Sequence, residues 1–488
     1  MSATRSESSI IPGEKDDACE FIQPIDAMSP SRTDISDRLC RFIAECRYEQ
    51  LPPATRAATK RAILDASGVM IAASGLSPEA KPFVRIATSA GHEGPATILG
   101  YGVRTSAPMA AFANGALAHA LDFEDAFDAA PCHPNAASVP AAIAIAQSHG
   151  PVDGREFITA VAVGCDLVCR MGLALRQTME QNGWYPPPIL GAFGATAAAA
   201  RLLRLDARQT RDALSLTLCQ ATMPGEIKHS RGTVVRAVRE AFPAKAAVLS
   251  ALLARDGVQG FETPLEGDAG FYALYADGHF DDSDLVDGLG QDFHIEQLSF
   301  KPWPACRGTH AYIEIALKLL GEHRIGWREI ESVSVTTCNV HRMLLEPSDR
   351  KRAPESVIDA KFSIPFTVAC ALVKGEVTLS SFDPSSLADP DILALAQRVH
   401  ATERSDWGRD KAASGILTLA MRDGRSFTAE VLHALGHPQS PLSTEQLVAK
   451  FEQCCGHADR PRNSADVRQL AETLLALEDS SDCGRVFY

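Results

Sequence analysis

Apolar residues recur at intervals of three and four along nearly all of residues 34–270, and alanine supplies many of them. Side chains three and four apart share a helix face, so this period predicts helices. Residues 34–44 carry Ile35, Leu39 and Phe42 at such spacing. Residues 53–73 open on Pro53, whose missing N–H costs nothing in a first turn. The same reading places helices over 109–120, 138–146, 154–176, 194–203, 206–219 and 244–255. Small residues on so many faces let helix axes approach closely, which predicts a multi-helix domain.

Beyond residue 270 the period changes. Residues 330–340 alternate and are rich in Val and Thr, and 415–431 read as two strands joined at Asp423-Gly424, a hairpin signal. Helices over 310–320 and 360–373 fall between them, and two more over 444–454 and 464–478 follow. The pattern predicts a mainly α fold: a disordered N-terminal extension at 1–33, a large all-helical domain at 34–274, a smaller α+β domain at 275–435, and C-terminal helices at 436–488 that rejoin the helical domain.

Composition narrows the function classes. A chain of 488 residues, 45% hydrophobic, is long enough for two cored domains. Its formal net charge of -14, with no basic stripe, argues against a nucleic-acid partner. No apolar run reaches the roughly 20 residues that cross a bilayer, so no membrane is expected. The first residues are acidic and lack the apolar run of a secretory signal, and the thirteen cysteines are scattered as in a reducing compartment. The expected location is the cytoplasm.

Four segments combine polar groups with turn-forming residues. The first, 121–134, sets Asp122, Glu124, Asp125, Asp128 and His133 directly after an alanine-rich helix, which predicts a wet cleft. Asp122 and His133 are the favoured pair, because a carboxylate can fix a histidine tautomer and histidine suits proton transfer; Glu124, Asp125 and Asp128 read as caps or loop charges. The second, 182–194, orients Trp184 and Tyr185 ahead of three prolines. The third, 228–240, holds Lys228, Arg236 and Arg239, the two arginines three apart and so predicted to share a helix face as a carboxylate clamp. The fourth, 299–310, holds Lys301, Arg307 and His310 around Trp303. Gly-rich phosphate loops, GxSxG, CxxC and HExxH are all missing. A metal site drawn from His119, Asp122, Asp125 and His133 matches no known ligand spacing.

Taken in order, His119-Ala-Leu-Asp-Phe-Glu-Asp125 with His133-Pro134, Gly183-Trp-Tyr-Pro with Gly191-Ala-Phe-Gly-Ala-Thr-Ala-Ala-Ala199, the Arg236 helix, and Lys301-Pro-Trp-Pro-Ala-Cys306 with His310 resemble the MmgE/PrpD family. That resemblance implies a large helical domain with an α+β lid, a homodimer, and catalysis on small polycarboxylates in the interdomain cleft without metal or organic cofactor. It puts Asp122, His133 and Lys301 at active-site positions of the decarboxylase-type members. Ala126, Tyr185 and Arg236 stand where those members carry threonine, histidine and lysine.

The resulting expectation is a cofactor-independent lyase on a small di- or tricarboxylate, working by proton abstraction next to a carboxylate. His133 and Lys301 would be the acid/base pair, with Asp122 as orienter and Tyr185 as a donor. Arg236, Arg239, Lys228, Arg307 and His310 would bind substrate. Dehydration of a 2-methylcitrate-like hydroxy acid comes first. Decarboxylation of a cis-aconitate-like acid and epimerisation of an iminodisuccinate-like acid are the alternatives. A metal-dependent hydrolase and a non-catalytic scaffold remain as other classes.

Overall fold

The structure is a computed structural model that describes residues 34–487 except 90, 92 and 231, so the expected extension at 1–33 lies outside the described residues. The chain runs through α1 (Ile35–Glu45), α2 (Pro53–Leu76), α3 (Lys81–Ala87), a ribbon of β1 (Ala96–Ile98) and β2 (Val103–Thr105), and α4 (Ala107–Ala120). It continues through α5 (Pro134–Ser148), α6 (Gly154–Ala174), α7 (Pro186–Leu202), α8 (Ala207–Leu218), α9 (Val235–Val238) and α10 (Ala241–Arg255). Helix α7 begins eight residues before the predicted start: Pro186, Pro187 and Pro188 form its first turn, where no N–H is needed.

Helices α4, α5 and α7 are buried on nearly every face; α5 packs on both α4 and α7, and all three pack on α10. Glycine permits this closeness at two crossings. A Cβ on Gly194 of α7 would lie 2.1 Å from Val168 Cγ2 and 2.5 Å from the Gly164 carbonyl of α6. A Cβ on Gly115 of α4 would lie 2.4 Å from the Glu240 carbonyl, so α4 sits against the start of α10 and His119 comes beside Arg239.

One expectation is corrected here. Helix α6, at 21 residues, is by length and composition apolar enough to span a bilayer, although no such run was expected. It is a core helix in this fold, buried over most of its length, and its Arg170 Nε donates to Asp166 at 2.6 Å while its other nitrogens donate to the Asp287 and Asp292 carbonyls.

The helical core extends through Phe293, Leu298 and Phe300, so the second core starts after residue 300 rather than at 275. That second core is built on α11 (His310–His323), β3 (Ile330–Thr337), α12 (Val357–Lys361), α13 (Ile364–Lys374), β4 (Val399–Glu403), β5 (Gly415–Met421) and β6 (Ser426–Val431). The sheet order is β4-β3-β5-β6, with β3–β4 parallel and the other pairs antiparallel. Strand β5 alternates strictly between buried and half-buried residues, which is why its pattern was readable. Strand β4 is exposed after Val399 and carries no such signal. The chain then returns as α14 (Thr444–Gly456), which packs on α2, and α15 (Ser464–Leu475).

Gly194→Ala should destabilise the protein by about 1–3 kcal/mol, because the added methyl overpacks the α6–α7 crossing. Urea unfolding measures it, and an unchanged midpoint would refute the close-contact argument.

Candidate active site

The turn between α4 and α5 is held by lysines from three distant segments. Lys361 Nζ donates to the Leu121 carbonyl, Lys301 Nζ to the Asp122 carbonyl at 3.1 Å, and Lys450 Nζ to the Phe123 carbonyl at 2.7 Å. Lys301 also donates to Asp122 Oδ1 at 2.6 Å, and Lys450 pairs with Asp65 at 2.6 Å. Asp122 takes the left-handed conformation at φ 49°, which lets its carbonyl and carboxylate meet one ammonium. Burial, the largest single influence, pushes the Asp122 carboxyl up, but Lys301, His119 and His133 together outweigh it and hold the carboxyl at about 2. Burial likewise opposes the Lys301 charge, and Asp122 and then Glu124 more than restore it. Ala126 and Ser299 exchange backbone bonds at 2.9 and 2.8 Å, clamping the Lys301 segment alongside the turn.

Glu124 is fully buried between two histidines. Its Oε1 accepts from His119 Nδ1 and lies 3.0 Å from His133 Nδ1, which also donates to the Asp125 carbonyl at 2.9 Å. Arg239 donates to His119 Nε2, so His119 is neutral with its proton on Nδ1; burial, then Arg239, lowers it to about 3. Burial opposes ionisation of Glu124, yet the His119 contact and the Lys301 charge hold it well below the usual carboxylate range. With the Asp125 carbonyl as acceptor at Nδ1 and the Glu124 carboxylate 3.0 Å away, His133 keeps its proton there and leaves the Nε2 lone pair free.

His133 lines a cleft between the two domains, of about 160 Å³, together with Ala126, Asp128, Tyr185, Cys306 and Phe362. Drug-sized ligands occupy roughly 300–1,000 Å³, so this space suits a smaller molecule. Arg236 is 7% exposed and lies over the Phe362 ring, 3.6 Å from its centroid. Its Nε and Nη2 have no partner, and two adjacent guanidinium N–H groups match a carboxylate.

The structure places the other sequence candidates differently. Lys301 and Asp122, expected as base and orienter, form a buried ion pair behind the cleft; Glu124, expected as a loop charge, is the acid that meets His133. Asp122, Glu124 and Asp125 are all fully buried, so the acidic stretch is not wet; Asp128 alone of its acids lines the cleft, accepting from Ser299 Oγ at 2.6 Å and Arg307 Nε at 3.2 Å. Arg236 and Arg239 do not form one clamp: Arg236 lies over the Phe362 ring, whereas Arg239 turns inward to His119 and Glu240. Arg307 spends its donors on Asp128 and the Leu435 and Ala434 carbonyls, and His310 bonds Arg307 and the Ala305 carbonyl, so both are struts rather than open binding groups. Lys228 sits at the rim, 3.6 Å from Glu180, and Tyr185 faces the cleft with the Arg239 and Lys228 cations over its ring.

His119, Glu124 and His133 also bring ligand atoms within 4.8 Å, the one such set among the described residues. They fit a metal poorly. Glu124 already accepts from His119, His133 Nδ1 is committed to the Asp125 carbonyl, and the Arg239 guanidinium on His119 puts a fixed cation where another would be repelled. Asp122, in the sequence-drawn set, is committed to Lys301.

Comparison with known proteins agrees with the division of the chain. Residues 37–282 match the MmgE/PrpD N-terminal domain and residues 303–475 the MmgE/PrpD C-terminal domain. The cis-aconitate decarboxylase of Aspergillus terreus is 25% identical over 480 residues, 93% of this chain and 96% of the relative. Human cis-aconitate decarboxylase is 27% identical over 398 residues, 78% and 79% of the two chains. The 2-methylcitrate dehydratase of Escherichia coli K12 is 24% identical over 385 residues, 73% and 78%.

Asp125 provides a test of the buried acid cluster. Burial, then the Asp65 and Glu124 charges, push its carboxyl up to about 8, although Asn135 Nδ2 donates to it at 3.2 Å. Between about 4, the ordinary value for aspartate, and about 8 the folded protein keeps a proton that the unfolded chain has lost, so the stability this group contributes falls as pH rises through that window. Asp125→Asn should therefore gain on the wild type progressively from acid to mildly alkaline pH and then level off. Urea unfolding across that range reads it, and a pH-independent difference would contradict the assignment.

Proposed function

This chain belongs to the MmgE/PrpD family, and from that premise we propose a lyase that moves a proton at the carbon next to a carboxylate of a small di- or tricarboxylate. The observation that carries the proposal is His133, whose Nδ1–H donates to the Asp125 carbonyl beside Glu124 and whose Nε2 is left to the cleft, while Arg236, stacked on Phe362 of that cleft, offers two unpartnered N–H groups. Arg236 would hold a substrate carboxylate, and His133 Nε2 would take the neighbouring C–H proton. Negative charge building on that carboxylate meets a prepositioned cation in a site that excludes most water, where such stabilisation is largest. The Lys301–Asp122 pair would position the turn that carries Glu124, and Tyr185 would donate a hydrogen bond to a second carboxylate.

Dehydration of a 2-methylcitrate-like hydroxy acid is the first reading: once the C–H pair forms the double bond, the hydroxyl on the next carbon departs. Decarboxylation of a cis-aconitate-like acid is the second, and what favours it is the longer match to the named decarboxylases, up to 93% of this chain against 73% for the dehydratase.

Incubation with 2-methylcitrate, citrate, cis-aconitate and iminodisuccinate in D2O, followed by NMR, separates the fates by loss of water, loss of CO2 or deuterium uptake alone. His133→Ala should lower kcat by about 10²–10⁴, the usual worth of a general acid or base. Arg236→Met should raise KM by roughly ten- to a hundredfold, the worth of hydrogen bonds to a charged group. A wild-type protein inert on all four acids would refute the lyase, and a normal KM in Arg236→Met would refute the carboxylate clamp.

A further inference from the structure

We propose that the Cys306 thiol is the proton donor that completes the reaction, facing His133 across the cleft; this rests on the lyase reading above. His133 enters from the start of α5 in the helical domain, whereas Cys306 precedes α11 in the other. Both line the same cleft. Of the cysteines in the described residues most are fully buried, while Cys306 is partly exposed.

Its backbone is held from both sides. Cys306 N–H donates to the Lys361 carbonyl at 3.0 Å, and its carbonyl accepts from Thr309 N–H and Thr309 Oγ1, each at 2.8 Å. Lys361 is the residue whose ammonium also grips Leu121, so one residue sets both the thiol and the turn that carries Glu124.

The surroundings suit a thiol that gives up its proton only when the reaction calls for it. Burial, with the Asp122 charge, pushes the thiol up to about 11, so at rest it is protonated. Lys301, the Gly308 N–H and Arg236 act in the other direction and would stabilise the thiolate as it forms. Arg236 supplies an independent feature next to the cleft: it is more than nine-tenths buried, its Nε and Nη2 lack partners, and it stacks on Phe362, which lines the cleft with Cys306.

In a dehydration, His133 Nε2 takes the carbon-bound proton, the C–H pair becomes the new double bond, and the C–O bond breaks with its pair on oxygen. That hydroxyl takes the Cys306 S–H proton and leaves as water, and the thiolate recovers a proton from solvent while His133 returns its own. In a decarboxylation, the C–C pair stays on carbon as CO2 departs, and the same S–H proton is delivered to that carbon.

The test uses the full chain with 2-methylcitrate, citrate and cis-aconitate as probes. On whichever acid the wild type turns over, Cys306→Ala should lower kcat by about 10²–10⁴ with KM little changed, as for loss of a general acid. Cys306→Ser should lie between, since a hydroxyl is a weaker acid in the same place. If the acid is dehydrated, Cys306→Ala should still exchange the substrate C–H with D2O through His133, and His133→Ala should not; a merely structural cysteine would not produce that split. Near-normal kcat in Cys306→Ala, or in Cys306→Ser should the alanine variant fail to fold, overturns the role of Cys306 and leaves the lyase standing. A wild type inert on all three probes overturns the lyase and this role together.

Discussion

Three buried ammonium groups converge on three successive carbonyls, those of Leu121, Asp122 and Phe123, and the chemistry of the cleft hangs from that turn. An ammonium is costly to bury unless paired. Lys301 is neutralised by Asp122 and Lys450 by Asp65, whereas Lys361 meets a carbonyl and the Phe382 ring but, among the described residues, no carboxylate, and burial brings it down to about 8. Removing one member of a buried pair typically costs about 3–5 kcal/mol, because the other charge is stranded. The turn is therefore rigid for an electrostatic reason, and Glu124 is delivered between two imidazoles that a freely moving loop could not reach on a fixed footing.

The layers behind the cleft form an ordered series. Arg239 fixes the tautomer of His119, His119 and His133 both lie against Glu124, and the Asp125 carbonyl next to it sets which nitrogen of His133 faces the cleft. Gly115 is part of the same series, since only a residue without Cβ lets α4 approach α10 closely enough for His119 to meet Arg239. Packing and chemistry are not separable here.

The sequence shows the helical domain clearly because alanine and glycine repeat at helical spacing, and it shows β5 and β6 through their alternation and the Asp-Gly turn. The MmgE/PrpD fold was legible in the same way, from short motifs in order. The partners within the site were harder to see. Glu124 looked like a loop charge because the groups that bury it come from far along the chain: Lys301 joins the turn from 179 residues away, Lys361 from 240 and Lys450 from 327. One signal was available. Lys450 shares the apolar stripe of Leu447, Phe451 and Cys454, where a charge needs a buried partner. The different partners of Arg236 and Arg239 were invisible, because Phe362 and His119, which they meet, lie more than a hundred residues away in sequence.

The helical core is assembled from widely separated parts of the chain, with α14 packed on α2. Synthesis therefore delivers Phe123 well before the lysine that will hold its carbonyl. At roughly 5–20 residues per second the interval over those residues is about 16–65 s. During it Asp65 waits in the forming core without its cation, and the turn lacks its last anchor. A ribosome-bound chain can pack α4, α5 and α7 early, yet its reactive centre closes only after the α+β domain has emerged, so chemical competence is a late event in the life of each molecule.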